Sequence, residues 1–366
     1  MIKIAHIADC HLRVKQYGFK ARGDDFFAGL KNAIQAALDN GASLILCSGD
    51  IVDTTYPSAE VIKYQLPAIA DLLEQNKATM LVTSGNHDLT SPHWCSGLMR
   101  DKGGILVVDN ERYIHDDRIS IYGAPFMDPD RLRETVLQNP DTEADILMWH
   151  GEIKELIGYP KANTIEAADF PTGKYQVIAM GDQHIHKYIE HDGLVIAYPG
   201  STELCSTSED TEKQLYMYSF NDEGKLESID SVPFTTRPVQ KLKLLTDVDV
   251  EQAIVSLIPG ALIFVEYDRN LHNVVPRLTA AITDEDTILR ATVTEAIKSN
   301  LAAPGMNRDE EIPTLAQFMQ LQLEKVTDAE EYGRIHTLCD AMIDPNQDHR
   351  AGIDRFCEDT LGKIVL

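Results

Sequence analysis

Short apolar runs that end abruptly in polar residues recur through the first two hundred residues. The runs with their polar ends are residues 2–9 (IKIAHIAD), 44–50 (LILCSGD), 80–88 (MLVTSGNHD), 146–151 (ILMWHG) and 177–186 (VIAMGDQHIH). A short and almost wholly apolar run is typical of a strand that is buried on both faces of a sheet. The pattern therefore predicts five buried strands, each with polar residues at its carboxyl end.

Helical periodicity lies between the early runs. Apolar positions over residues 27–38 recur at helical spacing, with Asp24 or Asp25 as the predicted N-cap and Gly41 as the end of the helix. Residues 61–73 carry a second such pattern. Alternating strands and helices predict a sheet with helices on both faces, in which ligands bind at the carboxyl ends of the strands. All five polar clusters fall at such strand ends.

Further strands are predicted outside this alternation. Residues 105–109 and 119–125 are apolar and are joined by the polar stretch NERYIHDD, which is predicted to be a turn. Asp192-Gly193 and the NDEG stretch at 221–224 predict two hairpins. A second sheet packed on the first accommodates these strands. The predicted fold class is therefore α/β (an α+β sandwich), with two sheets stacked as a β-sandwich and flanked by helices.

The last part of the chain is predicted to form two further regions. Residues 238–300 follow the order strand, helix, strand, strand, helix, which indicates a small α+β domain. Breakers and acids at 301–313 predict a linker, and the apolar positions Leu315, Phe318 and Leu321 predict a helical tail. The predicted domains are residues 1–235, 236–300 and 301–366.

The charge balance changes which partners are expected. The chain has 366 residues, with 33 Lys and Arg against 58 Asp and Glu, and a formal net charge of −25. A protein that grips DNA by itself usually carries a basic patch, so this acidity indicates a small substrate or a partner that supplies the backbone contacts. Six scattered cysteines, no signal peptide and no apolar run long enough to span a membrane predict a cytoplasmic protein with reduced thiols.

The first two polar strand ends carry side chains that bind metals. Asp9 and His11 alternate along an extended chain, which places both side chains on one side, and these two ligand types together suit Mn, Fe or Zn. Asp50 follows Gly49 at a turn, where a carboxylate can bridge two cations or cap a helix. Either motif alone has an ordinary structural interpretation.

The third strand end carries the most specific string, Gly85-Asn86-His87-Asp88. Asn86 offers a neutral oxygen to a metal. His87 can face a substrate phosphate, and Asp88 can fix the tautomer of that ring and raise its pKa. The alternative is a surface turn.

The last two strand ends add histidines. A single histidine at a strand end is more often a hydrogen-bonded core residue than a metal ligand. Five such clusters at matching strand ends favour one shared site. The predicted ligands are two carboxylates, one amide and four histidines, enough for two metals that share a carboxylate and activate a hydroxide. They are Asp9, His11, Asp50, Asn86, His150, His184 and His186. The absence of GxSxG, P-loop and Rossmann glycine patterns removes the main competing chemistries.

The motif order DxH, GDxxD, GNHD, lone His and HxH resembles the calcineurin-like metallophosphoesterase superfamily, over residues 1 to about 205. The opening IxHIADCHL, the spacing of GDIVD and GNHD, and the string YPGST at 198–202 are similar to SbcD-type nucleases, the nuclease subunits of double-strand-break repair complexes. That resemblance also implies that the 236–300 region is a capping domain and that the tail is a segment that binds an ATPase.

The resemblance implies a distribution of the ligands over two metals. One metal is expected to be bound by Asp9, His11 and His186, and the other by Asn86, His150 and His184, with Asp50 bridging them. His87 is expected to stabilise the phosphate and assist the leaving group, with Asp88 beside it. Two departures stand out. Asp53 lies where some members have a second catalytic histidine, and GDQHIH stands where many have GHxH, so that Asp182 has no assigned role.

The predicted function is that of an Mn-dependent DNA exonuclease and endonuclease subunit. It would act in double-strand-break repair and recombination with two divalent metal ions, an SbcC-like ATPase of the SMC/ABC type and a second copy of itself. The net charge favours one alternative, a phosphatase or small-molecule phosphodiesterase of the same superfamily. A scaffold without activity is a third reading, which an intact ligand set opposes.

Overall fold

The computed structural model describes residues 1–88, 95, 97–157 and 163–294. Within them the strands are, in chain order, β1 (Ile2–Ile7), β2 (Leu44–Ser48), β3 (Thr79–Thr83), β4 (Met99–Arg100), β5 (Gly103–Val107), β6 (Glu111–His115), β7 (Ile119–Ala124), β8 (Ile146–His150), β9 (Val177–Gly181), β10 (Lys187–His191), β11 (Leu194–Tyr198), β12 (Lys213–Phe220), β13 (Leu226–Phe234), β14 (Val239–Leu244), β15 (Leu262–Asp268) and β16 (Ile288–Thr294). The α-helices are α1 (Lys20–Asp39), α2 (Leu66–Gln75), α3 (Pro129–Leu132), α4 (Asp247–Ser256) and α5 (Val274–Ala281). Short π-helical segments adjoin α2 and α3, at Val61–Gln65 and Arg133–Leu137.

Two sheets contain the five predicted buried strands. The first has the order β13-β12-β1-β2-β3-β5-β4, and β1, β2, β3 and β5 run parallel. The second has the order β10-β11-β9-β8-β7-β6, and β7, β8, β9 and β11 run parallel. The apolar runs form β1, β2 and β3 in the first sheet and β8 and β9 in the second, so this prediction is confirmed.

An apolar layer fills the space between the two sheets. It joins Ile4, Leu44 and Leu81 of the first sheet to Ile146 and Val177 of the second. A second layer packs α1 and α2 on the outer face of the first sheet, and a third covers the outer face of the second sheet with α3 and neighbouring segments. The fold is therefore a mixed α/β sandwich of two sheets with helices outside, rather than one sheet with helices on both faces.

Helix α1 begins earlier than the sequence predicts. It starts at Lys20, and Phe19 before it makes no side-chain capping hydrogen bond, so the predicted N-cap at Asp24 or Asp25 is wrong. The guanidinium of Arg22 lies buried in the first turn and donates hydrogen bonds to residues far along the chain. These tertiary contacts override the local capping signal.

The predicted hairpins and the predicted turn have different outcomes. β10 and β11 pair antiparallel across Asp192-Gly193, and β12 and β13 pair antiparallel across the NDEG stretch, so both hairpins are confirmed. Asp192 and Gly193 have φ values of 49° and 81°, as a type I′ turn requires. The predicted turn NERYIHDD instead contains β6, because residues 111–115 pair with β7.

A third, smaller sheet contains β14, β15 and β16, all parallel. Helices α4 and α5 pack against one set of its side chains, and the alternate set packs against Tyr17 and Leu204. The sequence predicts α4 but misses α5, because only the parallel pairing of β15 and β16 shows that a crossover is needed. The domain boundaries at residues 235 and 300 stay predictions, and the helices predicted after residue 294, including the tail, lie outside the described residues. None of the helices in the described ranges is long and apolar enough to cross a membrane.

Candidate metal centre

The carboxyl ends of β1, β2, β3, β8 and β9 bring their polar residues together. Asp9, His11, Asp50 and Asp182 have positive φ values, at 52°, 46°, 52° and 96°. Such backbone is uncommon outside glycine, and it concentrates at functional sites where surrounding contacts hold it in place. Sharp turns at these positions allow side chains from both sheets to approach one another.

Two glycines leave room for this approach. A Cβ atom on Gly49 would lie 2.3 Å from Nδ1 of His150, and one on Gly85 would lie 2.1 Å from Oδ1 of Asp50. Gly49 also has a φ of 90°, which side chains disfavour. The glycines before the second and third polar clusters are therefore required by close packing around the site.

The first group of donor atoms lies around His11. Its Nε2 atom is 3.2 Å from Nε2 of His184 and 3.7 Å from Oδ2 of Asp50. Nε2 of His184 is in turn 3.9 Å from Oδ1 of Asp9. Asp9, His11 and Asp50 are buried, whereas His184 is partly exposed. Two strand ends of the first sheet and one of the second contribute to this group.

The second group lies around His150, which is fully buried. Its Nε2 atom is 3.0 Å from Oδ1 of Asn86, 3.5 Å from Oδ2 of Asp50 and 3.7 Å from Oδ1 of Asp182. The same oxygen of Asp50 therefore faces both groups. Asp182, to which the sequence assigned no role, lies among the donors.

The donor atoms of both groups fit divalent cations. The facing Nε2 atoms of His11 and His184 repel each other unless a proton or a cation lies close to both. Nδ1 of His11 is buried without a hydrogen-bond partner among the described residues, and the nearest carboxylate oxygen, on Asp53, is 3.6 Å away. Burial and then the charge of Asp50 raise the pKa of Asp9 well above its usual range, so a cation would stabilise this pair of carboxylates. Mixed nitrogen and oxygen donors are typical of Mn, Fe and Zn sites.

Hydrogen bonds on the far sides of two rings orient these histidines. Nδ1 of His150 donates to the main-chain oxygen of Ser48 over 2.8 Å, and Nδ1 of His184 lies 2.9 Å from Oε1 of Glu209. A neutral ring that donates from Nδ1 carries an unprotonated Nε2, the form that binds a metal. In the neutral form both rings therefore present a metal-binding nitrogen to the site.

His87 lies beside the two groups. Its Nε2 atom is 4.0 Å from Oδ2 of Asp50, and its side chain is 39% exposed. Nδ1 of the ring lies 2.6 Å from the main-chain oxygen of Asp53, which can only accept. His87 is thus oriented by the main chain and remains accessible to a substrate.

The prediction that Asp88 orients the His87 ring is wrong. The carboxylate of Asp88 instead accepts hydrogen bonds from the main-chain nitrogens of Ile51, Val52 and Gly85. Burial, together with the charge of Asp50, raises the pKa of Asp88 to about 6. Asp88 therefore holds the loops after β2 and β3 together.

One predicted ligand, His186, lies outside the two donor groups. Its Nδ1 lies 3.0 Å from the main-chain oxygen of Pro199, and its Nε2 lies 2.7 Å from Oγ of Ser231. The ring stacks on Tyr216 with centroids 4.1 Å apart. Both nitrogens are therefore engaged outside the site, and the structure does not bring His186 together with the other six predicted ligands.

Sequence reasoning missed Glu209, which supports His184. Its Oε2 atom accepts hydrogen bonds from Ser201 and Lys213, each over 2.8 Å. Burial alone would raise the pKa of Glu209, but the hydrogen bond from His184 and the charge of Lys213 lower it overall. The sequence points to Glu209 only indirectly, through its hydrogen-bond partner Ser201, which belongs to the YPGST string.

A cleft of about 340 Å³ opens beside the second group. Asn86 and Asp182 line it together with Phe126 and Trp149. Donor atoms of the site thus border a space that a substrate can enter.

Comparisons with known proteins identify a family and several similar proteins. Residues 2–186 match the calcineurin-like phosphoesterase family. Three archaeal proteins named DNA double-strand break repair protein Mre11 are similar to the chain. That of Archaeoglobus fulgidus is 28% identical over 225 residues, covering 55% of this chain and 50% of the relative. That of Saccharolobus solfataricus is 24% identical and covers 70% of each chain, and that of Methanocaldococcus jannaschii is 30% identical and covers 62% of this chain and 65% of the relative.

The match to the phosphoesterase family contains all five polar strand ends, from Asp9 to His186. It covers half of the chain, whereas the first of the relatives is matched over only half of its own length. The order of the motifs, the two-sheet sandwich and the donor atoms gathered at the strand ends agree with that assignment. The chain belongs to the calcineurin-like phosphoesterase family.

Proposed function

We propose that this chain is a metal-dependent DNA nuclease, acting as exonuclease and endonuclease in double-strand-break repair and recombination. The position of Asp50 carries the proposal, because its Oδ2 atom lies between a donor group around His11 and another around His150. Two divalent cations bound there, for which Mn²⁺ suits the donors, would supply a hydroxide nucleophile and stabilise charge on the phosphate. No covalent bond to the protein is required.

The side chains divide between binding and proton transfer. In this proposal Asp9, His11 and His184 hold one cation, Asn86 and His150 hold the other, and Asp50 is shared. His87 remains free to contact the phosphodiester, because its side chain is partly exposed and its Nε2 faces Asp50 while its Nδ1 is engaged. When both nitrogens of this ring are protonated, donation from Nε2 would stabilise a phosphate oxygen and protonate the departing oxygen.

DNA as the substrate is supported by the names of the archaeal relatives, each described as a double-strand break repair protein. The net charge of −25 opposes independent DNA binding. We therefore include in the proposal a partner that supplies most contacts to the DNA backbone, an SbcC-like ATPase of the SMC/ABC type, and a homodimer of this chain. The tail at residues 301–366 is the proposed ATPase-binding segment.

The substrate class can be tested with three compounds. EDTA-treated protein, reloaded with Mn²⁺, should cleave a duplex oligonucleotide and bis-p-nitrophenyl phosphate, a diester, faster than p-nitrophenyl phosphate, a monoester. Asp50→Asn should abolish all hydrolysis, because it weakens the shared ligand, whereas Asp192→Asn in the exposed β10–β11 turn should not. Preference for the monoester, with no cleavage of DNA, would support the phosphatase alternative instead.

The partner can be tested in the full-length chain. Replacing Leu315, Phe318 and Leu321 by Asp should abolish co-purification with the ATPase while diesterase activity remains. Val255→Asp, at a residue of α4 that is 85% exposed, is the control for adding acid to an apolar surface position. Undiminished co-purification of the triple variant would place the contact elsewhere.

A further inference from the structure

We infer that Asp182 binds the second metal, in the place that the resemblance assigned to His184, so that the two metal positions differ in donor type. The inference rests on the proposed two-metal function. It concerns the residue directly after β9, which follows the glycine of the string GDQHIH.

The end of β9 places Asp182 against the second group of donors. His150 and Gly181 are paired in register at the ends of β8 and β9, so the next residue emerges directly beside His150. Oδ1 of Asp182 lies 3.7 Å from Nε2 of His150, close to the 3.5 Å that separates this nitrogen from Oδ2 of Asp50. The oxygen of Asn86 completes the set at 3.0 Å. Oxygens from three chain segments therefore lie within 3.7 Å of one imidazole nitrogen.

The main chain around Asp182 is held in this place by close contacts. A Cβ atom on Gly181 would lie 1.9 Å from the main-chain oxygen of Ser48 and 2.6 Å from Nδ1 of His150, so β9 ends in direct contact with β2 and β8. The nitrogen of Asp182 donates to both carboxylate oxygens of Asp9, over 3.1 and 3.2 Å. These contacts maintain the unusual φ of 96° at Asp182.

The two oxygens of Asp182 are in different environments. Oδ2 accepts a hydrogen bond from Nε2 of Gln183 over 3.2 Å, whereas Oδ1 is the oxygen that faces His150. A carboxylate with one oxygen tethered and the other turned to the donor group is oriented for coordination through the second oxygen. His186, by contrast, would have to break hydrogen bonds at both nitrogens and leave Tyr216 before reaching the site.

The consequence is a difference in chemistry between the two metal positions. The first position has two imidazoles, of His11 and His184, and the carboxylates of Asp9 and Asp50. The second has a single imidazole, of His150, and three oxygen donors. Oxygen donors favour Mn²⁺ and Mg²⁺, whereas additional imidazole favours Zn²⁺. Zn²⁺ should therefore compete with Mn²⁺ more strongly at the first position than at the second.

The experiment is Mn²⁺ binding to EDTA-treated, full-length protein, measured by calorimetry and by the electron paramagnetic resonance signal of coupled Mn²⁺ pairs. The wild type should bind two ions. Asp182→Asn should weaken one of them at least about tenfold and remove the coupled signal, since losing even an indirect metal contact costs that much. His186→Gln should leave both ions in place. Asp182→His should restore the second ion and shift its competition towards Zn²⁺.

Matched controls separate this inference from the function on which it rests. Asp192→Asn changes another aspartate of positive φ, which is 75% exposed in a turn, and it should not affect Mn²⁺ binding. Circular dichroism verifies that each variant is folded. Two ions retained by Asp182→Asn, or one lost from His186→Gln, would overturn the role of Asp182 and leave the two-metal proposal standing. Fewer than two ions in the wild type would overturn both.

Discussion

Nδ1 of His184 lies 2.9 Å from Oε1 of Glu209, while Nε2 of the same ring faces Nε2 of His11 at 3.2 Å. The other oxygen of Glu209 accepts hydrogen bonds from Ser201 and Lys213. A single carboxylate thus connects the segment after YPGST to a proposed metal ligand. In metal sites such a carboxylate fixes the tautomer of the histidine and the direction of its free nitrogen.

Glu209→Gln should therefore weaken metal binding without removing a ligand. The amide has nearly the same size but lacks the charge that holds Lys213 and the N–H of His184. We expect Mn²⁺ affinity at the first position to fall about 10- to 100-fold, measured by calorimetry. Glu212→Gln, at an exposed neighbouring residue, is the control and should bind as the wild type does. Unchanged affinity in the Glu209 variant would show that His184 is oriented without it.

His87→Gln should separate catalysis from metal binding. The proposed function assigns this side chain to the substrate rather than to a metal; it is 39% exposed, and its Nε2 lies 4.0 Å from Oδ2 of Asp50. Removing it should lower kcat for diester hydrolysis by about 10²- to 10⁴-fold, the usual contribution of a positioned acid or base, while two Mn²⁺ ions still bind. The control is His191→Gln, at a partly exposed ring outside the site. Loss of a bound ion would instead make His87 a ligand.

Arg22→Leu should strongly destabilise the fold. Its guanidinium is fully buried and lies 3.1 Å from Oε1 of Glu203, which is also buried. Without Arg22 this carboxylate would stay in the interior without a cation, at a cost of about 3–5 kcal/mol in the free energy of unfolding. Urea denaturation measures the loss.

The matched comparison for Arg22 is Arg118→Leu. Arg118 also pairs with two carboxylates, of Asp116 and Asp222, but these pairs lie on the surface. Exposed ion pairs contribute little, so the denaturation midpoint should hardly move. Equal effects of the two substitutions would contradict the importance of burial.

His6 should make the stability of the fold sensitive to acid. Burial lowers the pKa of His6 from 6.5 to about 3, and the ring is hydrogen-bonded to Tyr218 and Ser48. Below pH 6.5 the His6 ring binds a proton in the unfolded chain but stays neutral in the folded chain. The contribution of the neutral His6 ring to the free energy of unfolding is therefore complete above pH 6.5, and it is lost as the pH falls towards 3.

His6→Gln should remove this dependence. Relative to the variant, the wild type should lose up to about 1.4 kcal/mol of unfolding free energy for each pH unit below 6.5, measured by urea denaturation across that range. His191→Gln should follow the wild-type profile. Parallel profiles for wild type and His6→Gln would show that the proton uptake occurs at other residues.

Local patterns in the sequence determined the strands and the order in which polar residues follow them. A strand that is buried on both faces can be recognised from its apolar run alone, because burial on both faces excludes polar side chains. Residues 44–48 and 146–150 are examples. The turn at Asp192-Gly193 is equally local, since both residues readily adopt positive φ. Local pattern also allowed four predicted ligands to be recognised as one set, because each lies at or just after the end of a buried strand. They are Asp9, Asp50, Asn86 and His150.

Only the tertiary structure decided which residues after β9 face that set. Asp182, His184 and His186 all alternate with intervening residues, so spacing alone does not distinguish them. The choice depends on where β9 stops against Ser48 and on the φ of 96° that follows, neither of which is encoded within the motif. No direct signal in the sequence identifies Glu209 either, because Glu209 lies 25 residues beyond His184 in the chain and contacts it only in the folded protein. Strand identity is a local property of side-chain burial, whereas the composition of the metal centre depends on contacts between distant segments.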